Sequence, residues 1–341
     1  MSSKGGIVVE PDRPREATYE PSYLLAGGAG FIGSHFTDRL LASNVVRKVT
    51  LFDNFSSGRE WHFEQHCARG DKRLHVVRGD VNDLEGLTEA MRGHDVVIHL
   101  ASNPDIARAA SEPDIDFREG TVLTNNVVEA MRRSGVSSLL YASGSGVYGD
   151  LGGVAPDEDY GPLTPISTYG ASKLAGEALI ACYCAMFGFT ARAFRFGNVV
   201  GARQTHGVGF DFVRRLCADP TRLQILGDGR QSKTYVHVSD VVDAVLAAHQ
   251  EATCGFSVFN VGTGDAVTVT EIAEMAVDCV GLADKPHFQY MGGDRGWKGD
   301  VPIVRLDTKK IRSLGWQPKL NSRQAVYQSL KELIADERTF V

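Results

Sequence analysis

The 341-residue sequence contains no run of about 18 apolar residues, so no membrane-spanning helix is predicted. Its 36 Lys and Arg are outnumbered by 42 Asp and Glu, for a net charge of -6, and the basic residues form no stripe. Nucleic acid is therefore not an expected partner. Cysteine is sparse, with six residues at 67, 182, 184, 217, 254 and 279. Only Cys182 and Cys184 are close, and positions two apart on a helix do not share a face. The cysteines read as free thiols of a reducing cytoplasm, not as a disulfide framework. No His, Cys, Asp or Glu cluster has ligand spacing, so no metal is expected. Residues 1–19 are polar and lack the apolar stretch of a signal peptide, and they read as a disordered tail. No internal repeat or low-complexity segment is present. What remains, 43% hydrophobic and 23% charged, suits a folded protein of one or two domains.

The informative part begins at Tyr23–Leu25, a short apolar run followed by Gly27, Gly28, Gly30 and Gly33. A helical pattern through Phe31, Ile32, Phe36, Leu40 and Leu41 comes next, then a strand over Val49–Phe52 ending at Asp53. Strand, glycine turn, helix, strand and acid form the dinucleotide fingerprint in its expected context. Gly27 and Gly28 permit the tight turn. Gly30 leaves room for a pyrophosphate over the helix N-terminus, and Gly33 permits close helix–strand contact. Asp53, 20 residues after Gly33, is placed to accept from a ribose hydroxyl and to repel a 2′-phosphate, which favours NAD over NADP.

The alternation continues. Leu74–Val77 reads as a strand leading to Asp80 and Val81, which either meet the adenine or, for Asp80, cap a helix. Val96–Leu100 is a further strand, followed by small residues Ala101 and Ser102 that let a cofactor lie over its tip. Together with Asn54, Leu100, Phe31 and Ile32, these complete the candidate cofactor contacts. A helix over Thr121–Arg132 precedes a strand, Leu139–Ala142, that runs into Ser143-Gly144-Ser145-Gly146-Val147-Tyr148-Gly149. Chemistry in open parallel sheets collects at such carboxyl ends. Tyr169 and Lys173 then stand four apart in a helical pattern, one turn apart on one face. Tyrosine ionises near 10 and is a poor base at neutral pH. A neighbouring ammonium and the positive nicotinamide favour its phenolate, which would take a proton from a substrate hydroxyl as hydride leaves the same carbon.

These stretches, with Arg195-Phe196-Gly197-Asn198-Val199 and Tyr235-Val236-His237-Val238-Ser239-Asp240, carry a resemblance. The chain resembles the extended short-chain dehydrogenase/reductases, specifically the NAD-dependent nucleotide-sugar epimerases and dehydratases, and most of all UDP-glucose 4-epimerases. Asn103-Pro104-Asp105, Thr205-His206-Gly207 and the run from Gly292 to Pro302 add to that likeness.

The resemblance implies an α/β fold: a Rossmann-type parallel sheet with helices on both faces and a smaller C-terminal α/β substrate-binding domain. Residues 20–196, with about 236–262, would form the NAD domain. Residues 197–235 and 263–338 would bind the UDP-sugar. It implies Tyr169 and Lys173 as the catalytic pair and NAD as cofactor, with Lys173 on the nicotinamide ribose. The cycle oxidises the sugar at C4, lets the keto sugar turn, and returns hydride to the other face. Asn198, Arg192, Arg203, Thr205, Lys233 and Arg295 become candidate sugar or diphosphate contacts. His206 is a weaker candidate, and His237 reads as structural. A homodimer through the helices at 121–132 and 169–187 is the usual assembly.

Three features, at four positions, depart from the pattern. The family's Ser or Thr three residues before Val147 is Gly144 here, leaving Ser145 or Ser143, or a water, to supply the hydroxyl. The acid pair that dehydratases carry before Val-Tyr-Gly is Ser145 and Gly146. A customary Asn is Gly120, for which Asn125 is the candidate replacement. The expectation is a 4-epimerase of UDP-glucose/UDP-galactose or UDP-glucuronate/UDP-galacturonate. Its alternatives are a UDP-glucuronate decarboxylase, a keto-sugar reductase, or a non-catalytic NAD or nucleotide-sugar binding protein.

Overall fold

The computed structural model describes residues 20–251, 255–336 and 338. The expected tail, 1–19, and Cys254 lie outside the described residues. The first six strands are β1 (Ser22–Ala26), β2 (Lys48–Asp53), β3 (Leu74–Arg78), β4 (Val96–His99), β5 (Ser138–Gly144) and β6 (Thr190–Phe196). With Phe256–Val261 they make one parallel sheet, in the spatial order β3-β2-β1-β4-β5-β6 and then Phe256–Val261. The chain direction across the sheet reverses between β1 and β4, so their carboxyl ends open the crevice where such sheets bind ligands.

The helices between these strands are α1 (Phe31–Leu41), α2 (Glu64–Ala68), α3 (Leu84–Met91), α4 (Leu123–Ser134) and α5 (Thr168–Phe187). Period-two alternation sends neighbouring strand residues to opposite faces. Leu25, Leu51 and Ile98 pack with Phe36 of α1 and with Val241 and Val245 of the helix Val238–Gln250. Leu24, Phe52 and Val97 pack on the other face with Leu87 of α3, Val127 of α4 and Ile180 of α5. Central strands covered on both sides read as continuous apolar runs, which is how they appear in the sequence.

The remaining residues build a smaller core. Helices Val208–Ala218, Val269–Val280 and Ser322–Ala335 enclose Phe212, Leu223, Ile272 and Leu330. Residues 232–237 form two short strands with different partners. Ser232–Lys233 pairs with Val267–Thr268 and Ile303–Val304, whereas Tyr235–His237 pairs with Asn198–Val200. Thr234 is the crossing point: its N–H reaches Val304 O at 3.2 Å and its carbonyl accepts from Asn198 N at 3.0 Å. The next helix starts at Val238, where the His237 ring accepts from Ser239 N at 3.3 Å; His237 is a cap. The helix expected at Thr121 is preceded by a π-helical turn, Phe117–Val122, that leads into α4.

Candidate active site

The loop between β1 and α1 is shaped by contacts that only glycine allows. Gly27 has φ of +83°, and a Cβ there would sit 2.7 Å from Ala101 N. At Gly33 a Cβ would meet the Gly28 carbonyl oxygen at 2.6 Å, which fixes how closely α1 approaches the loop. Gly30 differs: its nearest neighbour would be Gly27 O at 3.4 Å, so the space beside it is open. Among the described residues no side chain caps α1, leaving the N–H groups of Phe31 and Ile32 at the helix start for an anion.

Asp53 ends β2 beneath this loop. It accepts from Ala29 N at 2.9 Å and from Phe55 N at 2.8 Å, and burial pushes its carboxyl above the usual range. Asn54 donates to Asp80 at 3.3 Å. Asp80 does not cap α3, because Asp83 does so by accepting from Gly86 N at 3.1 Å. Val81 is buried beside it. Leu100 and Ala101 both donate backbone N–H to Ala26 O, at 2.8 and 2.9 Å, and bring Ser102 over the tip of β4.

Two residues of this cradle escaped the sequence reading. Gly58 abuts Asp53 and Ala29, where a Cβ would fall 3.0 Å from Asp53 Oδ1. The buried His62 donates through Nδ1 to Ala29 O at 2.7 Å, and burial lowers its pKa to about 4. The Ser-Gly pair after Asp53 was the available signal for a tight turn, but nothing local marks His62.

Tyr169 and Lys173 share one face of α5, whose start is capped by Ser167 accepting from Gly170 N at 3.1 Å. The Lys173 ammonium lies 5.4 Å from the Tyr169 ring centroid and 5.3 Å from that of Tyr141. It donates to Ala142 O at 2.8 Å, which ties the buried lysine to the end of β5. Burial lowers its pKa to about 8, against the opposing effect of Asp116. Tyr169 moves the other way from expectation. Burial, then the Asp116 charge, push its phenol up to about 12, with the Ser102 hydroxyl opposing them. The lysine therefore does not by itself yield a phenolate.

The hydroxyl question resolves in part. Ser143 is spent: it donates to Glu177 at 2.5 Å, and Glu177 is paired with Arg195 at 2.7 Å in a buried cluster with Tyr148. Ser145 opens a 3₁₀ turn, Ser145–Tyr148, and is half-buried with no hydrogen-bond commitment of its side chain among the described residues. A Cβ at Gly144 would meet only Tyr169 Cε1, at 4.0 Å, so that position is open and faces the tyrosine. A Cβ at Gly120 would meet Ser172 Oγ at 2.1 Å, a contact that rotation of the serine hydroxyl would relieve. Asn125 is exposed and does not replace the missing side chain.

Of the expected sugar-side residues, Lys233 and Arg295 converge. Lys233 Nζ reaches Asp300 Oδ1 at 2.5 Å, and Arg295 bridges the Asp300 carbonyl, 2.5 Å away, to Asp150 Oδ2 at 2.7 Å. Asn198 donates to Thr234 O at 3.3 Å through its side chain. Thr205 contacts His206 at 3.4 Å in the loop before Val208. Two residues are elsewhere. Arg192 lies near the amino end of β6, bonded to Glu251 O, at the opposite end of the sheet from the crevice. Arg203 turns toward α1, bonding Asp38 and, at 2.7 Å, the carbonyl of His62. It locks the loop onto the cofactor side instead of reaching for a sugar.

The model of the NAD-dependent epimerase/dehydratase family matches residues 23–262. The chain belongs to that family. It is similar to the UDP-glucose 4-epimerase of Mycolicibacterium smegmatis, 34% identical over 316 residues, 90% of this chain and 97% of that one. Among solved structures it is similar to one in complex with UDP-glucuronic acid and NAD: TM-score 0.80, 29% identity, covering 92% of this chain and 99% of that one. It is also similar to a dTDP-glucose 4,6-dehydratase from Streptomyces venezuelae with NAD bound: TM-score 0.85, 26% identity, covering 93% and 98%.

NAD is the cofactor, and the cradle fits it. The open side of Gly30, the uncapped start of α1 and the Asp53 carboxylate present an anion site beside a hydroxyl acceptor. As a member of this family, the protein interconverts nucleotide sugars. No helix among the described residues is long and apolar enough to cross a membrane.

Proposed function

We propose that this enzyme epimerises a UDP-hexose at C4. The observation that carries the reading is the carboxyl end of β5: Tyr169 and Lys173 stand there, and the positions where a dehydratase carries its acid pair are Ser145 and Gly146. Neither can remove a C5 proton or protonate a C6 hydroxyl. Similarity to UDP-glucose 4-epimerases and to a protein solved with UDP-glucuronic acid supports the UDP-hexose or UDP-hexuronate class.

When bound in the cradle of Gly30, the start of α1 and Asp53, NAD would supply the hydride acceptor and donor for C4. Tyr169 takes the C4 hydroxyl proton and gives it back, and a phenol of high proton affinity suits the second task. Lys173 spends one N–H on Ala142 O and keeps two for the nicotinamide ribose, while its charge offsets that of the phenolate. Ser145 is the uncommitted hydroxyl that meets the reacting oxygen. Asp53 accepts from the adenosine ribose. Asn198, Lys233 and Arg295 hold the diphosphate and Thr205 borders the sugar. Residues 20–196 and 236–262 serve as the NAD domain, with 197–235 and 263–338 as the sugar domain.

The same reading assigns a homodimer through α4 and α5, the latter ending in exposed Met186 and Phe187. Proton NMR of the purified protein with UDP-glucose, and separately UDP-glucuronate, tests the proposal without added NAD. A galacto anomeric signal from one sugar establishes the reaction and the C6 group together. No change in either, with NAD then supplied, overturns it.

A further inference from the structure

Asp116 is 1% exposed, stands immediately before the π-helical turn Phe117–Val122, and has no place in the chemistry above. Both its oxygens are occupied. Oδ1 accepts from Asn103 Nδ2 at 2.9 Å and Oδ2 accepts from Thr168 Oγ1 at 2.7 Å. Thr168 is the residue before Tyr169. Asn103 is the residue after Ser102, and its side chain closes a turn on Asp105, accepting from the Asp105 N–H at 3.0 Å and donating to the carbonyl at 2.9 Å. The Asn103 N–H in turn donates to Glu119 O at 3.0 Å. One carboxylate thus joins three segments that are remote in sequence: the loop after β4, the π-helical turn and the start of α5. Its direct partners are neutral, an expensive state for a buried anion.

We propose that Asp116 is a positioning residue that straps the Ser102 loop to the first turn of α5 and holds a negative charge against the Tyr169–Lys173 pair. The inference rests on that pair being the reacting groups, as proposed above. The strap sets Ser102 against the phenol, where its hydroxyl engages Tyr169. The charge raises the proton affinity of both members of the pair, and so favours the phenol of Tyr169 and the ammonium of Lys173. Among the described residues the other titratable groups facing the pair are Tyr141 of β5, beside both, and His99 of β4, beside Lys173; burial keeps His99 neutral, with a pKa lowered to about 3.

Asp116→Asn removes the charge and retains both hydrogen-bonding partners, because an amide carbonyl still accepts from Asn103 and an amide N–H donates to Thr168. Asp116→Glu retains the charge. In the purified enzyme, tyrosinate absorbance after rapid pH jumps, less the signal of the matching Tyr169→Phe protein, reports Tyr169 alone. The expected result for Asp116→Asn is ionisation about one pH unit lower than wild type. The alkaline limb of the kcat profile should move in the same direction, with KM unchanged. Asp116→Glu should titrate like the wild type, which keeps the test available should Asp116→Asn fail to fold. Coincident Tyr169 titrations in wild type and Asp116→Asn, or a lowered one in Asp116→Glu, would overturn the proposal. A shifted titration in proteins that turn over no UDP-sugar would sink the epimerase reading and leave this one standing.

Discussion

The two sides of the crevice are built by opposite means. On the dinucleotide side, shape comes from backbone: glycines at contacts under 3 Å, an aspartate holding two backbone N–H groups, and a helix start left open. Nothing there must be broken to admit a ligand. On the sugar side the cations are already paired, Lys233 with Asp300 and Arg295 with Asp150. On the proposed assignment, a diphosphate would exchange these partners for itself. Substitutions on the first side should therefore act on folding and cofactor retention, and on the second side on substrate affinity.

The largest expected effect belongs to neither side. Tyr169→Phe should lower kcat by about 10³-fold with the fold and NAD content intact, as measured by steady-state kinetics and thermal melting. Next, Gly27→Ala should cost at least about 1 kcal/mol in thermal unfolding and empty the cofactor site, because φ is positive and Ala101 N blocks the new methyl. Arg295→Ala should raise KM about tenfold and leave NAD content and melting unchanged. If Gly27→Ala changed only KM, or Arg295→Ala released NAD, the contrast between the two sides would fail.

A pH effect lies between them. Lys173 has its pKa lowered from 10.5 to about 8, so its ammonium is present below that value and lost above it. Turnover should fall as pH rises through about 8, and Lys173→Arg, which stays charged, should flatten that limb. The smallest effect is Gly144→Ser. The position is open, so the protein should fold normally, and a hydroxyl beside Tyr169 should raise kcat by no more than a few-fold.

What the sequence made legible follows from distance along the chain. The glycine loop and Asp53 fall within one strand–helix–strand unit, and Tyr169 and Lys173 fall within one turn. Local spacing therefore carried them. The commitments of other side chains are long-range and left no local mark. Ser143 meets Glu177 34 residues later, and Asp116 meets Thr168 52 residues later. Arg203 reaches Asp38, 165 residues earlier. Arg192 is a different case. Its place near the amino end of a strand whose carboxyl end feeds the crevice was readable from strand polarity alone. The division of Ser232–Val238 into two strands depends on partners at Asn198 and Ile303, which no pattern within the segment could reveal.

The most direct test of the central claim is conversion of the accepted UDP-hexose in D₂O, followed by mass spectrometry and proton NMR. The account predicts a C4 isomer of unchanged mass, with no deuterium at C4 or C5, because hydride returns to the carbon it left and C5 is never deprotonated. A product that has lost one water and carries solvent deuterium would contradict it and place this enzyme among the dehydratases.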